Sequence, residues 1–190
     1  MADDAADVVL VSGGSSVGQE DHAPGLLAEL GSLDFHGVSM RPSSPTGLGR
    51  IAERFVFLLP GNPVSCLCAY EFFAGPTIRA LGGLSRDWPH RRLRVPLIRK
   101  IASAVGRTDY VRVALEAGGA RPIGTSGASI LSSTVRADGF VIVKREWEGM
   151  PALQSALVTK SQERQTLESR SVELRGEIRH HMLQLEELAA

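Results

Sequence analysis

Over the first 84 residues, short apolar runs alternate with helix-forming stretches and with glycine and proline punctuation. Asp7 to Ser12, Phe35 to Ser39 and Phe55 to Leu59 read as strands, and Leu26, Leu27 and Leu30 mark one face of a helix after the first of them. A second helix is predicted from Pro63 to about Leu81. Asn62 suits its N-cap, Pro63 its first position and Gly82-Gly83 its end, while Pro76 should kink or divide it. Strands alternating with helices give an α/β unit around a parallel sheet. From Arg91 to about Trp147 the pattern changes to alternating apolar and polar positions broken by Gly-rich turns, as in Tyr110 to Leu115, which predicts a small β-barrel-like domain. Beyond Met150-Pro151 glycine almost vanishes, and residues 154 to 189 read as one long helix. Its Leu167, Ser171, Leu174, Ile178, His181, Leu185 and Leu188 alternate spacings of four and three, a seam for packing in cis or for a weakly specified coiled coil. The predicted organisation is therefore 1–88 α/β, 89–152 β, and 153–190 a helical tail.

Composition narrows the function. The 190 residues are 43% hydrophobic, enough for a packed core, and 21 Lys and Arg balance 21 Asp and Glu. No global field draws the chain to nucleic acid or to an acidic membrane, so any anion affinity must be local. Aromatics at 5% leave few stacking platforms for single-stranded nucleic acid. Cys66 and Cys68 cannot make a disulfide framework, and no apolar run approaches the roughly 18 residues of a spanning helix, so a soluble, cytoplasmic protein is expected.

Three loops carry candidate chemistry. Ser12-Gly13-Gly14-Ser15-Ser16-Val17-Gly18 joins the first strand to a helix, an arrangement that presents unpaired backbone N–H groups where phosphate is favoured. Its glycine spacing is neither that of the Walker loop nor that of the dinucleotide fingerprint, and an ordinary tight turn is the alternative. Asp21 follows it. Beside a phosphate that carboxylate would need a cation between, which suggests Mg²⁺ coordination; stabilising the helix N-terminus is its other reading. Pro60-Gly61-Asn62-Pro63-Val64-Ser65 ends the Phe55 strand and opens the second helix, so in a parallel sheet both bends face one crevice. In the third loop, Arg41-Pro42-Ser43-Ser44-Pro45, two prolines stiffen a segment whose Arg41 is the best single anion-binding candidate.

In this order the three segments, Ser-Gly-Gly-x-Ser-x-Gly-x-x-Asp at 12 to 21, Met-Arg-Pro-x-x-Pro at 40 to 45 and Leu-Pro-Gly-Asn-Pro-Val-Ser at 59 to 65, closely resemble the molybdopterin molybdenumtransferase family, called MoeA in bacteria and gephyrin in animals. Gly106 to Arg112 and Gly127 to Gly139 resemble its C-terminal β domain, and the resemblance spans roughly residues 7 to 150. It implies a MogA-like three-layer pterin-binding domain and insertion of molybdate into adenylyl-molybdopterin with Mg²⁺-assisted release of AMP. By the same resemblance Ser12, Gly13, Gly14, Ser16, Gly18, Pro42, Ser44, Pro45, Pro60, Gly61, Asn62, Pro63 and Ser65 hold the pterin phosphate and nucleotide. The resemblance further implies that Asp21 and Arg41 are catalytic, with Asp21 also the metal ligand, and that Arg107 or Arg112 with Ser129 and Ser132 bind molybdate. A homodimer is implied as well.

Departures from the family pattern bear on activity. Where the usual loop reads Met-Lys-Pro-Gly-Lys-Pro, this chain has Arg41 and Ser44, so one cation is exchanged and the other absent, a loss of about 1.5 to 3 kcal/mol at an anion site. The resemblance also begins at a middle strand of the pterin-binding domain, which implies an incomplete chain with an unpaired sheet edge. The competing expectation is a non-catalytic pterin-binding or scaffold module whose helical tail mediates assembly.

Overall fold

A computed structural model describes residues 6–14, 21–124 and 131–160. Ser16, Gly18, Ser129 and the tail beyond residue 160 lie outside the described residues. In chain order the first unit comprises β1 (Val8–Ser12), α1 (Ala23–Leu30), β2 (Ser32–His36), β3 (Met40–Arg41), β4 (Gly47–Ile51), β5 (Arg54–Leu59), α2 (Pro63–Ala69), a π-helical turn (Tyr70–Ala74) and α3 (Gly75–Leu81). The second comprises β6 (Arg92–Pro96), β7 (Ile101–Ala102), β8 (Thr108–Glu116), β9 (Gly119–Gly124), α4 (Leu131–Val135), β10 (Gly139–Val143), β11 (Gly149–Met150) and β12 (Ser155–Lys160).

The first sheet has the order β1-β5-β4-β2. Only β1 and β5 run parallel; β5 with β4 and β4 with β2 are antiparallel, so the sheet is mixed. Alternation along β5 builds a layer on each face. Phe57 and Leu59 pack with Ala69 and Ala74 of the α2 segment, while Val56 and Leu58 pack with Leu27 of α1. A three-layer α/β/α sandwich results, with β1 at one edge and Leu10 partly exposed there.

The expected strand over 35–39 is displaced. Pairing runs through Ser32–His36 and stops at Gly37, whose φ of +94° turns the chain. The glycines of Gly47-Leu48-Gly49 belong to a strand instead of a loop: a Cβ on Gly49 would sit 2.0 Å from the Ser32 carbonyl and 2.8 Å from Leu27 Cδ2. Close approach of β2 and α1 requires them.

The helix predicted over 63–81 is present, and Pro76 divides it. A proline has no N–H for the carbonyl four residues back, and the turn immediately before it widens to π geometry, with Gly75 N–H reaching Tyr70 O. The helix ends in a Schellman arrangement: Gly83 N–H donates to Ala80 O, Leu84 N–H to Arg79 O, and Gly83 adopts φ +75°.

In the second unit β8, β10, β12 and β6 form an antiparallel run, with β9 on the other side of β8. Leu97, just past β6, bridges to Ala120 of β9 and nearly closes a barrel. Val111, Val113, Val141, Val143, Ala156 and Val158 point into it, as alternation predicts. In place of the helix expected from residue 154, Ser155–Lys160 is a strand, β12, paired with both β6 and β10. Ala156 and Val158 are buried in the barrel core, and that burial with two-sided pairing outweighs the helix propensity of the segment. The β domain therefore extends to at least residue 160.

The outer face of this barrel meets the α/β unit through aromatic rings. Trp88, on the connection between α3 and β6, packs edge-on against Phe72 and Phe140, and its indole N–H donates to Glu71 O at 2.7 Å. Tyr110 stacks on Phe140 at 4.4 Å, and His90 Nε2 lies 3.0 Å from Glu71 Oε2.

Candidate functional site

The parallel pairing of β1 and β5 puts Ser12 beside Leu59, so both strands end at one rim. Gly13 N–H donates to Leu59 O, and a Cβ placed on Gly61 would lie 3.3 Å from Gly13 Cα. The bends at 12–14 and 59–62 are therefore in contact. Gly13 and Gly14 adopt φ of +92° and +64°, a conformation that side-chain-bearing residues seldom take. Gly14 O accepts the Ala23 N–H, which fastens the start of α1 to this bend and sets the half-buried Asp21 two residues from the fastening point. Ser12 Oγ stands 3.6 Å from Cys66 Sγ in the first turn of α2. Asn62 is the N-cap of α2 through its backbone carbonyl, which accepts the Cys66 N–H; its side chain is exposed and makes no cap bond.

The third loop closes against the same helix. Gly37 N–H and Val38 N–H donate to Thr46 O and Ser44 O, making a tight excursion between β2 and β4. At its base Ser43 is 2% exposed and its Oγ donates to Ser65 O at 2.5 Å, while Thr46 Oγ1 donates to Ser43 O at 2.7 Å. Pro42 is buried, Pro45 half-buried and Ser44 exposed. Ser65, expected to reach a ligand through its hydroxyl, is itself buried, and its carbonyl serves as the latch for Ser43.

From this loop β3 crosses to the barrel and pairs in parallel with β8, with Arg41 opposite Asp109. Asp109 is completely buried. Its Oδ2 accepts from Arg41 Nη2 at 2.7 Å and from Ser103 Oγ at 2.9 Å, and its Oδ1 accepts from Arg107 Nε at 2.9 Å. Arg41 and Arg107 are thus drawn together from two domains. Arg112 is different: it is 2% exposed and faces the α2 side of the interface. Burial lowers the pKa of its guanidinium, with Tyr110 and the Cys68 thiol acting in the opposite sense. Burial likewise pushes the Cys68 thiol up to about 12, against the hydroxyl of Ser43 and the charge of Arg112. Of the two arginines offered for an oxyanion, only Arg107 reaches solvent, with its side chain 34% exposed. Ser132, on α4, is exposed, and α4 lies against α2.

Reading the sequence missed Ser43, Ser103 and Asp109. Asp109 sits inside the Gly106 to Arg112 segment, but its partner 68 residues earlier is set by the β3–β8 register, which no local pattern encodes. Among the described residues no three His, Cys, Asp or Glu side chains cluster as a metal cage. Asp21 alone fits Mg²⁺ only in its usual substrate-bridged form, with one carboxylate, retained waters and phosphate oxygens. Among the described residues, too, no helix is long and apolar enough to cross a membrane.

Residues 1–80 match the family model described as "Probable molybdopterin binding domain", and residues 94–158 match the MoeA C-terminal region, domain IV. The chain belongs to the MoeA family. A molybdopterin biosynthesis protein of Methanocaldococcus jannaschii is 34% identical over 144 residues, 75% of this chain and 33% of that protein. The molybdopterin molybdenumtransferase of Haemophilus influenzae is 30% identical over 149 residues, covering 74% of this chain and 36% of its own length. The crystal structure of a MoeA protein from Pyrococcus horikoshii superposes with a TM-score of 0.65 at 35% identity, covering 81% of this chain and 37% of that one. This MoeA-family chain thus spans about a third of the length of the curated relatives it matches. The two family domains correspond to the α/β unit and the barrel, and the segment joining them carries Trp88 and His90.

Proposed function

We propose that this chain supplies the pterin-nucleotide and oxyanion sites of a molybdopterin molybdenumtransferase, which inserts molybdate into adenylyl-molybdopterin and releases AMP. One observation carries the reading: the bends at 12–14 and 59–62 touch at the carboxyl ends of parallel β1 and β5, and the Arg41–Ser43 loop is latched to the same α2. Backbone amides at such a rim suit a phosphate. In this reading Ser12, Gly13, Gly14, Gly61 and Asn62 receive the phosphate and nucleotide, and Arg41 and Arg107 receive molybdate. Ser16, Gly18 and Ser129 join them on the family resemblance alone.

Asp21 would hold Mg²⁺ through its carboxylate, and the ion, when bound, offsets charge on the phosphates that AMP carries away. The reading includes a cytoplasmic homodimer, in keeping with the two free cysteines. The test is AMP release from adenylyl-molybdopterin by purified chain, followed chromatographically with and without molybdate. Molybdate-dependent AMP that is lost in Asp21→Ala supports the reading; pterin binding without any AMP release leaves the non-catalytic module in its place.

A further inference from the structure

The geometry points to Asp109 as a positioning residue that converts Arg41 and Arg107 into one clamp for a tetrahedral oxyanion, an inference that rests on the function proposed above. A carboxylate with no exposure is costly unless its oxygens are satisfied, and this one has three donors, two of them guanidinium groups. Each arginine gives Asp109 a single N–H bond out of five donors, through Nη2 on Arg41 and Nε on Arg107. Among the described residues neither guanidinium makes a further hydrogen bond, and their side chains are 33% and 34% exposed. Arg41 Nε is buried without a partner, so the donors left for a ligand are the terminal Nη groups of the two arginines, both held by one buried carboxylate.

Charge supports the same conclusion. Two guanidinium groups against one carboxylate leave a net positive charge at the clamp. With net positive charge and N–H donors from two guanidinium groups, the pair suits a tetrahedral dianion better than a planar monoanion. The anchor also ties the clamp to the loop cluster: Arg41 is two residues from Ser43, whose hydroxyl holds the first turn of α2, and Ser103 fixes Asp109 from the barrel side. An anion gripped here would sense both domains.

Asp109→Asn separates positioning from mere charge balance, because the two roles predict opposite signs. If the carboxylate only neutralised the arginines, its removal would free positive charge and tighten anion binding. If it positions them, Asp109→Asn weakens binding of molybdate and tungstate at least tenfold and abolishes their preference over nitrate. Calorimetric titration of the full chain with these three anions reads both quantities, with circular dichroism and thermal melting as controls of folding. Ser103→Ala, which keeps every charge and loosens only the anchor, should weaken molybdate two- to fivefold. Equal or tighter molybdate binding by folded Asp109→Asn overturns the inference. Where Asp109→Asn does not fold, unchanged affinity and selectivity in Ser103→Ala overturns it instead. A native chain that binds none of the three anions overturns the oxyanion role of Arg41 and Arg107 itself, and this inference with it.

Discussion

Ser43 holds a conformation that its hydroxyl alone makes worthwhile, and replacing it in two ways isolates the two contributions. Its φ is +88°, a region in which a side-chain-bearing residue costs about 1 to 2 kcal/mol. Against that cost the buried hydroxyl donates to Ser65 O at 2.5 Å, a bond contributing about 0.5 to 1.5 kcal/mol net. Ser43→Ala loses the bond and keeps the strain, so it should destabilise by about 1 to 2 kcal/mol. Ser43→Gly loses the same bond but removes the strain, at a cost of up to about 1 kcal/mol in unfolded-chain entropy. It should therefore lie about 1 kcal/mol above Ser43→Ala, roughly 2 to 4 °C in melting temperature for a chain of this size. Urea unfolding with unchanged m-value measures the difference. Ser43→Ala equal to or more stable than Ser43→Gly would show that the positive φ is not a strain held by contacts, and the latch between the third loop and α2 would lose its energetic basis.

Trp88→Ala should cost about 3 to 5 kcal/mol, since the ring fills the space between Phe72 and Phe140, whereas Trp88→Phe should cost about 1 kcal/mol for the lost bond to Glu71 O. Thermal melts that do not distinguish these two variants would refute the aromatic strap. The Cys68 pKa, pushed up to about 12 by burial from an ordinary value of 9.0, fixes a pH dependence. The unfolded thiol ionises first, so this contribution to stability is complete below pH 9 and is lost as pH rises toward 12. Peptide mapping after brief alkylation at pH 8 should find Cys68 unmodified in folded protein and modified in urea; labelling in the folded state would contradict its burial. Arg41→Lys restores the residue usual in the family's loop, yet one ammonium cannot both satisfy Asp109 and face an anion as a fork does. Molybdate affinity should fall several-fold with little change in melting temperature, and an unchanged affinity would count against the clamp.

The parts of the fold that follow from period and punctuation were legible in the sequence. β1, β5, the α2–α3 segment and the strands of the barrel each carry their own signal: an apolar run, proline and glycine at the ends, or an every-second-residue aliphatic series as in Val111, Val113 and Leu115. β4 was not legible, because Gly47 and Gly49 look like loop residues until β2 and α1 are known to press against them. Its hairpin turn also lacks the usual signature, with Ala52 at φ +51° in place of glycine or asparagine. β12 was misread because it was merged with the Glu-, Gln- and Arg-rich residues that follow; its own Ser-Ala-Leu-Val-Thr-Lys has none of these, and pairing on both sides sets it apart. Within the site, the two glycine bends were readable because each sits at the end of a recognisable strand. Arg112 was not, since a fully buried arginine and an exposed one have the same letter; the alternation that buries Val111 and Val113 in the barrel turns Arg112 toward the α/β unit, and burial there depends on how the domains dock.

Docking is where the two domains become one site. The contact that matters is small: two residues of β3 add to the edge of β8, and a two-residue ladder alone would not hold domains in register. What fixes it is the combination of a buried acid that would be costly without Arg41 and an aromatic strap that shields the interface. Sliding β3 by one residue along β8 would leave Asp109 facing Met40 or Pro42, neither of which can donate to it. Arg107 and Ser103 would stay with Asp109, but its Oδ2 would lose its guanidinium partner in a buried site, and that cost favours the observed register. The same selection holds Arg41 and Arg107 on the two oxygens of one carboxylate and ties them through Ser43 to the first turn of α2, so the specificity of domain docking and the geometry of the oxyanion clamp have one physical cause.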